Sequence, residues 1–473
     1  MDRGTAIVLT LVAYKLLLLG IGWWGQRRTK NAADYFLGGR GLGPLVAAVS
    51  ASASSSSAWT ILSVSGQAYL WGISALWFFP ACVGGFFLNW YVLAPGLRAM
   101  TDRTGALTIT ELVAGERTRP FHHAIRTVGS LIIVVSLGFY VCSQFQGAGK
   151  TFVHTFPDHL SLEASIAIGG GIVVAYTLLG GFWAVSLTDT LQGLLMALTA
   201  IVVPAAALFQ VGGPAALLDG LEAVRVPGFL DPLSGGNAAG IGFVFGILGI
   251  GLGYPGQAHV VNRMMALSGG PGALRSARRI ALSWAVIVYS GMILLGLCGR
   301  VLWDSLPDNE SLFIHATNSL FHPVLAGVMI AAVLSAIMST ADSQLLVAGA
   351  SVTHDLRLGG QTRETILKRS RLTVLGLSAI AIIAAMETDT SIFQRVLFAW
   401  GAVGAAFGPV LVVTALTRRL PAPGWTLASM IAGCTLSVFA YYAFPGNESK
   451  WLERVVPYMV AGVLAVAGAR KAA

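Results

Sequence analysis

Apolar windows of about 20 residues, the length an α-helix needs to cross about 30 Å of hydrocarbon, recur from Ala6 to Ala469 with few long interruptions. No soluble fold could hide so much apolar surface. Of the 473 residues 55% are hydrophobic and 11% charged, whereas a soluble domain carries about 25% charged residues. The expectation is an all-α integral membrane protein forming a single transmembrane domain, because a helix satisfies its own backbone where water is absent.

About 13 spans are expected. The first, near 5–24, lacks a small-residue cleavage signal and is followed by Arg27, Arg28 and Lys30, so it reads as a retained helix. The rest fall near 43–70, 73–97, 125–149, 163–181, 185–210, 238–258, 280–302, 323–352, 371–386, 391–416, 424–444 and 455–469. Cys82, Cys142, Cys298 and Cys434 all lie in apolar stretches and read as small buried thiols.

The formal charge of +9 points to topology rather than to nucleic acid, because the basic residues sit in short clusters between spans. About 22 of the 30 fall in one alternate set of loops, with Arg263, Arg275, Arg278 and Arg279 among them. The opposite loops collect acids such as Asp304, Asp308 and Glu310. By the positive-inside rule the amino terminus is outside and the carboxyl terminus cytoplasmic, in a cell inner (plasma) membrane.

Two spans carry residues that do not suit lipid. Ser50 to Trp59 reads SASASSSSAW, and Gly246 to His259 reads GILGIGLGYPGQAH, with five glycines and Pro255 around Tyr254. Small residues also serve close helix packing. Their positions, five spans apart, fit two inverted repeats that each begin with a broken helix, the device by which a transporter exposes backbone ligands at mid-membrane. GLGYPG matches a dinucleotide-binding pattern, but inside a membrane span with no preceding strand, and no P-loop occurs. An enzyme or ATP-driven pump is therefore not expected.

Oxygen donors suited to a hard cation cluster in AIMSTADSQLL, where Ser339, Thr340, Asp342 and Ser343 lie within little more than a turn. Serine and threonine can instead bond the carbonyl four residues back. An intramembrane carboxylate such as Asp342 is costly and is a functional candidate. Asp189, in VSLTDT, reads equally as a ligand or as a helix cap. The spans near this site show no buried arginine that would clamp a strongly acidic substrate.

The chain resembles the sodium:solute symporter family, and most closely its sodium/proline branch, through DYFLGGR (Asp34 to Arg40), the serine-rich break, ALW, LNW, GGFWAVSLTDTLQ, GLGYPGQAH, AIMSTADSQLLV and FAWGAVGAAFGP. The resemblance implies a five-plus-five inverted-repeat fold working by alternating access, with a leading helix (5–24), repeats at 43–210 and 238–416, and two trailing helices (424–469). It implies sodium-coupled symport of a small organic solute, proline or another small amino acid; a short carboxylate, sugar or organic cation is the alternative. One sodium ion would be held by the carbonyls of Ala53, Ser56 and Ala336 and the hydroxyls of Ser339 and Thr340. A second would fall on Asp189, Ser339, Asp342 and Ser343. The solute would meet Ser57, Trp59, Tyr140, Ile250, Tyr254 and Ala258, with Ile250 standing where the branch has tryptophan and Ala258 where it has proline. Ser55 replaces an acid of the branch, and Asp342 a hydroxyl. A receptor module of a signalling protein and a passive channel are the rival readings, but a channel needs a continuous polar stripe and here polarity gathers at one level.

Overall fold

A computed structural model describes residues 3–26, 37–156, 159–179, 182–233, 238–356, 363–387 and 391–471. Asp34, Tyr35 and Phe36 of the DYFLGGR motif lie outside the described residues. Among the described residues eleven helical segments are long and apolar enough to cross a membrane, and Pro44–Ser55 and Leu162–Leu178 are shorter apolar helices. One of the eleven, Trp59–Thr104, covers 46 residues, about twice what a bilayer needs. It turns back at Gly72, whose φ of +61° suits a residue without a Cβ.

The leading helix α1 (Arg3–Gln26) precedes α2 (Pro44–Ser55), a π-helical stretch at Trp59–Val64 and α3 (Ser65–Trp71). The return leg is α4 (Phe78–Phe87) and α5 (Ala94–Thr104), followed by the short α6 (Ile109–Ala114). Next come α7 (His122–Thr155), α8 (Leu162–Leu179), α9 (Phe182–Val211) and α10 (Pro214–Ala223). The second broken span is α11 (Ala238–Leu252) and α12 (Ala258–Ala266). Then follow α13 (Pro271–Leu302), α14 (Leu312–Leu320), α15 (Pro323–Ala350), α16 (Arg363–Met386) and α17 (Ile392–Thr417). The last are α18 (Pro423–Ala443), α19 (Lys450–Arg454) and α20 (Val456–Lys471).

The bundle is built around α2, α7, α9, α12, α15 and α17, with α1, α16, α18 and α20 against its flanks. Large apolar side chains such as Leu16, Phe209 and Ile380 remain exposed on the perimeter, as a hydrocarbon solvent permits. Both broken spans rest on glycines, which let backbones approach closely. A Cβ at Gly193 of α9 would sit 2.7 Å from Val49, one at Gly147 of α7 2.9 Å from Ala58, and one at Gly256 2.5 Å from the Gly404 Cα of α17.

Candidate functional site

The serine run stops α2 where the sequence pattern places a break. Ser56 leaves helical geometry (φ −111°, ψ 10°) and its N–H bonds Ala53 O at 3.1 Å. A helix end leaves carbonyls without intrahelical partners, and α15 supplies some of what is missing. The Thr340 hydroxyl donates to Ser54 O at 3.0 Å, Ser54 Oγ donates to Ser339 O at 3.0 Å, and Ser339 Oγ donates to Ala336 O at 3.3 Å. The structure thus brings the break and the Ala336–Thr340 segment together, with Ala53, Ser56, Ala336, Ser339 and Thr340 all buried. Each hydroxyl spends its hydrogen on a carbonyl and keeps oxygen lone pairs free, the neutral oxygen set a hard monovalent cation prefers.

Beside this lies a charged cluster. Asp189 is the eighth residue of α9, fully buried, so the capping role is excluded. Its Oδ2 accepts from Ser50 Oγ at 3.0 Å and lies 3.2 Å from Ser54 Oγ and 3.4 Å from Ser343 Oγ. The expectation of no buried arginine is corrected: Arg263, assigned above to a loop, is 1% exposed and places its guanidinium 2.8 Å from Asp189 Oδ2. Arg263 also bonds Ser50 Oγ at 3.1 Å, Ser343 Oγ and the carbonyl of His259. The reason is geometric: after the break at Gly253–Gln257, α12 packs against α2 and holds Arg263 inside, where its side chain reaches Asp189 of α9, rather than out in water. Among the described residues Asp342 bonds Ser343 alone, through Oδ1 at 3.3 Å, and its Oδ2 has no partner.

On the other side of the break sits an aromatic chamber. Trp400 of α17 packs edge-on against Tyr254 with ring centroids 4.8 Å apart, and lies 6.1 Å from Trp59 and 6.2 Å from Tyr140. Tyr140 OH donates to Ser57 Oγ at 3.3 Å, and Gln144 Oε1 accepts from the Ala58 N–H at 3.1 Å. Tyr254 OH meets Tyr289 OH at 2.8 Å. Among the described residues the indole N–H groups of Trp59 and Trp400 and the Oε1 of Gln257 are buried without partners, polar groups of the kind that orient a solute in an otherwise apolar site. Ile250 lines a small crevice behind Trp400 with Leu397 and Tyr458, and Ala258 is buried at the start of α12. Trp400, Gln144 and Arg263 were not among the residues assigned from sequence.

Two buried carboxylates close the ends of the bundle. Glu310, expected in an exposed acidic loop, is 1% exposed. It accepts from Ser63 Oγ at 2.7 Å, Lys150 Nζ at 2.6 Å and the first N–H groups of α17, Ile392 at 3.2 Å and Phe393 at 3.0 Å. At the opposite end Asp355 accepts from Thr108 Oγ1 at 2.7 Å, Thr110 and Arg126 at 3.3 Å. Nearby, burial pushes the Glu111 carboxyl up, but the bond to His354, the Leu107 N–H and the charges of His354 and Arg126 outweigh it and hold the pKa at about 2.

Residues 35–433 match the family model described as the sodium:solute symporter family. The chain belongs to that family. The symporter is 34% identical to the osmoregulated proline transporter OpuE of Bacillus subtilis (strain 168), over 97% of this chain and 94% of the relative. It is 35% identical to the high-affinity proline transporter PutP of the same organism, over 92% and 94%, and 32% identical to the sodium/proline symporter of Escherichia coli (strain K12), over 98% and 93%. Among solved structures, a sodium-coupled sialic acid symporter in a substrate-bound outward-open state superposes with a TM-score of 0.80 at 19% identity, covering 99% of this chain and 98% of that one. A nucleobase-cation-symport-1 family transporter superposes with a TM-score of 0.57 at 13% identity, over 94% and 96%. The fold is that of these transporters, and the symporter is a multi-pass membrane transporter, not an enzyme.

Proposed function

We propose that this symporter couples inward movement of sodium to uptake of proline or another small amino acid by alternating access. The observation that carries the reading is the meeting of the broken α2 with α15 through Ser54, Ser339 and Thr340, directly beside an aromatic chamber with unpartnered polar groups. Sodium is held by the carbonyls of Ala53, Ser56 and Ala336 and the hydroxyls of Ser339 and Thr340. A handful of neutral oxygens binds the ion weakly enough to release it where sodium is scarce. Asp189, Asp342 and Ser343, with Ser339, form a second cation position, one side of which the Arg263 guanidinium fills. The solute lies against Ser57, Trp59, Tyr140, Tyr254 and Trp400, with Ile250 and Ala258 as its apolar wall. Three curated relatives transport proline by name, which supports an amino acid over a short carboxylate, sugar or organic cation.

The architecture fits the same reading. Dividing the 46-residue segment at Gly72, joining each broken helix across its gap and counting α8 gives about 13 spans, arranged as a leading helix, repeats at 43–210 and 238–416 and trailing helices at 424–469. The loop charges set the amino terminus outside the plasma membrane and the carboxyl terminus in the cytoplasm.

The test is radiolabelled proline uptake into proteoliposomes holding the purified chain. An inward sodium gradient should drive accumulation above equilibrium, and a potassium gradient should not. Accumulation of another amino acid alone would redirect the solute assignment, and sodium-independent equilibration would refute symport.

A further inference from the structure

The leading helix brings a charge into the membrane that neither the aromatic chamber nor the main sodium ligands use. Lys15 lies midway along α1, a placement that is costly in hydrocarbon and marks a functional candidate. The contact of α1 with α15 is specific, since Tyr14 OH meets Ser335 Oγ at 2.6 Å. One turn further along α15, Met338 accepts the Lys15 ammonium through its sulfur. Another turn brings Asp342. Ser335, Met338 and Asp342, spaced by three and four residues, share the face of α15 that looks toward α1.

The polar partners of this lysine do not match its charge. Among the described residues it has a thioether and the face of the Tyr14 ring, 5.9 Å from ammonium to centroid, and no ion pair. A thioether is a weak acceptor. The ammonium borders a cavity of about 380 Å³ walled by Leu11, Leu16, Phe156, Ile172 and Leu334, which leaves the side chain room to swing. Tyr176 also lines it, and its hydroxyl is engaged by Thr188. The acid on that face is Asp342, one turn beyond the Met338 that holds the Lys15 ammonium, the same carboxylate whose Oδ2 has no partner among the described residues.

Counting charges around α15 closes the argument. Arg263 matches Asp189 at 2.8 Å, so the uncompensated acid is Asp342 and the uncompensated base is Lys15. Asp189, Asp342, Arg263 and Lys15 come one from each of four helices and their formal charges sum to zero, so the cluster is neutral with no ion from solution. A second sodium added there would leave a net positive charge in a low-dielectric interior, which is strongly disfavoured.

We propose that Lys15 is a built-in second cation: it neutralises Asp342 in place of a second sodium ion and so limits the symporter to one coupled sodium. This rests on the reading that sodium binds between α2 and α15. In the structure the ammonium rests on Met338, one turn of α15 from the carboxylate.

The experiment is equilibrium binding of radioactive sodium to the purified full chain, with melting temperature followed in sodium against potassium. The parent should bind one sodium per chain, Lys15→Met two, and Lys15→Met with Asp342→Asn one again. Lys15→Arg should behave as the parent, which a packing role for the side chain would not require. The extra sodium should appear in Lys15→Met as a larger sodium-specific rise in melting temperature. A parent that binds two, or a Lys15→Met variant that binds one, overturns the proposal and leaves the main sodium site standing. No sodium on the parent or on any variant overturns the site between α2 and α15, and this inference with it. If Lys15→Met does not fold, the paired substitution must rescue it, and a pair that fails equally overturns the proposal.

Discussion

Replacing Thr340 by valine removes one oxygen from the sodium site and keeps the branched shape of the side chain. The structure separates two costs. Without sodium, the Ser54 carbonyl loses the hydroxyl that reaches it at 3.0 Å, and a typical intramolecular hydrogen bond contributes about 1 kcal/mol. With sodium, a ligand to a full charge is lost as well. Contacts to charged groups contribute about 1.5–3 kcal/mol, and 1.4 kcal/mol is tenfold in affinity. The half-saturating sodium concentration should therefore rise roughly 10- to 100-fold, while the melting temperature in potassium falls slightly. Thr340→Ser restores the oxygen and should return sodium dependence to near the parental value. The assay is the sodium titration of both thermal stability and initial uptake rate in one preparation. A Thr340→Val protein with parental half-saturation in both would show that this hydroxyl only ties α15 to α2, and the proposed ligand set would be wrong.

Arg263→Met should destabilise the chain strongly, because removing one partner of a buried ion pair costs about 3–5 kcal/mol; adding Asp189→Asn should recover much of the melting temperature, and a single variant as stable as the parent would contradict the pairing. Tyr254→Ala should weaken solute affinity while leaving sodium affinity near parental in direct binding, whereas Tyr254→Phe, which loses the hydroxyl contacts to Tyr289 OH and Cys82, should change affinity little; a Tyr254→Ala variant with parental solute affinity would remove Tyr254 from the chamber wall. Glu111, held at about 2 against an ordinary 4.5, contributes stability that is complete above about pH 4.5 and is lost as pH falls toward 2. Melting of Glu111→Gln should therefore depend less on pH across that window than melting of the parent, and identical slopes would refute the assignment.

Much of this was legible because membranes simplify the reading of a chain. Hydropathy alone marked the chain as a bundle of apolar helices, and the two breaks announced themselves through residue types, serine in Ser50–Ser57 and glycine in Gly246–Gly256, that lipid-facing helices do not favour. The family motifs then gathered Ser339, Thr340 and Asp189 before any coordinates. What escaped is what depends on folding back. Arg263 stands in an amphipathic stretch just beyond an apolar window, and such arginines usually reach water; only the turn at Gly253–Gln257 aims it at Asp189, 74 residues earlier. Trp400 is one of several aromatics in a mostly apolar helix, where a core role is the ordinary reading. Glu310 looked like one acid among several in a loop, because its partners Ser63, Lys150 and Ile392 are remote in the chain.

The glycines under the two broken helices also bear on how such a protein can diversify. At Gly193, Gly147 and Gly256 there is no room for even a methyl group, so these positions are closed to mutational drift whatever solute the lineage comes to use. The aromatic and hydroxyl positions facing the chamber are under no such steric bar. A descendant that acquires a new nutrient should therefore have inherited the bearing surfaces unchanged and rewritten only the lining, and laboratory evolution toward a new solute should collect its substitutions there.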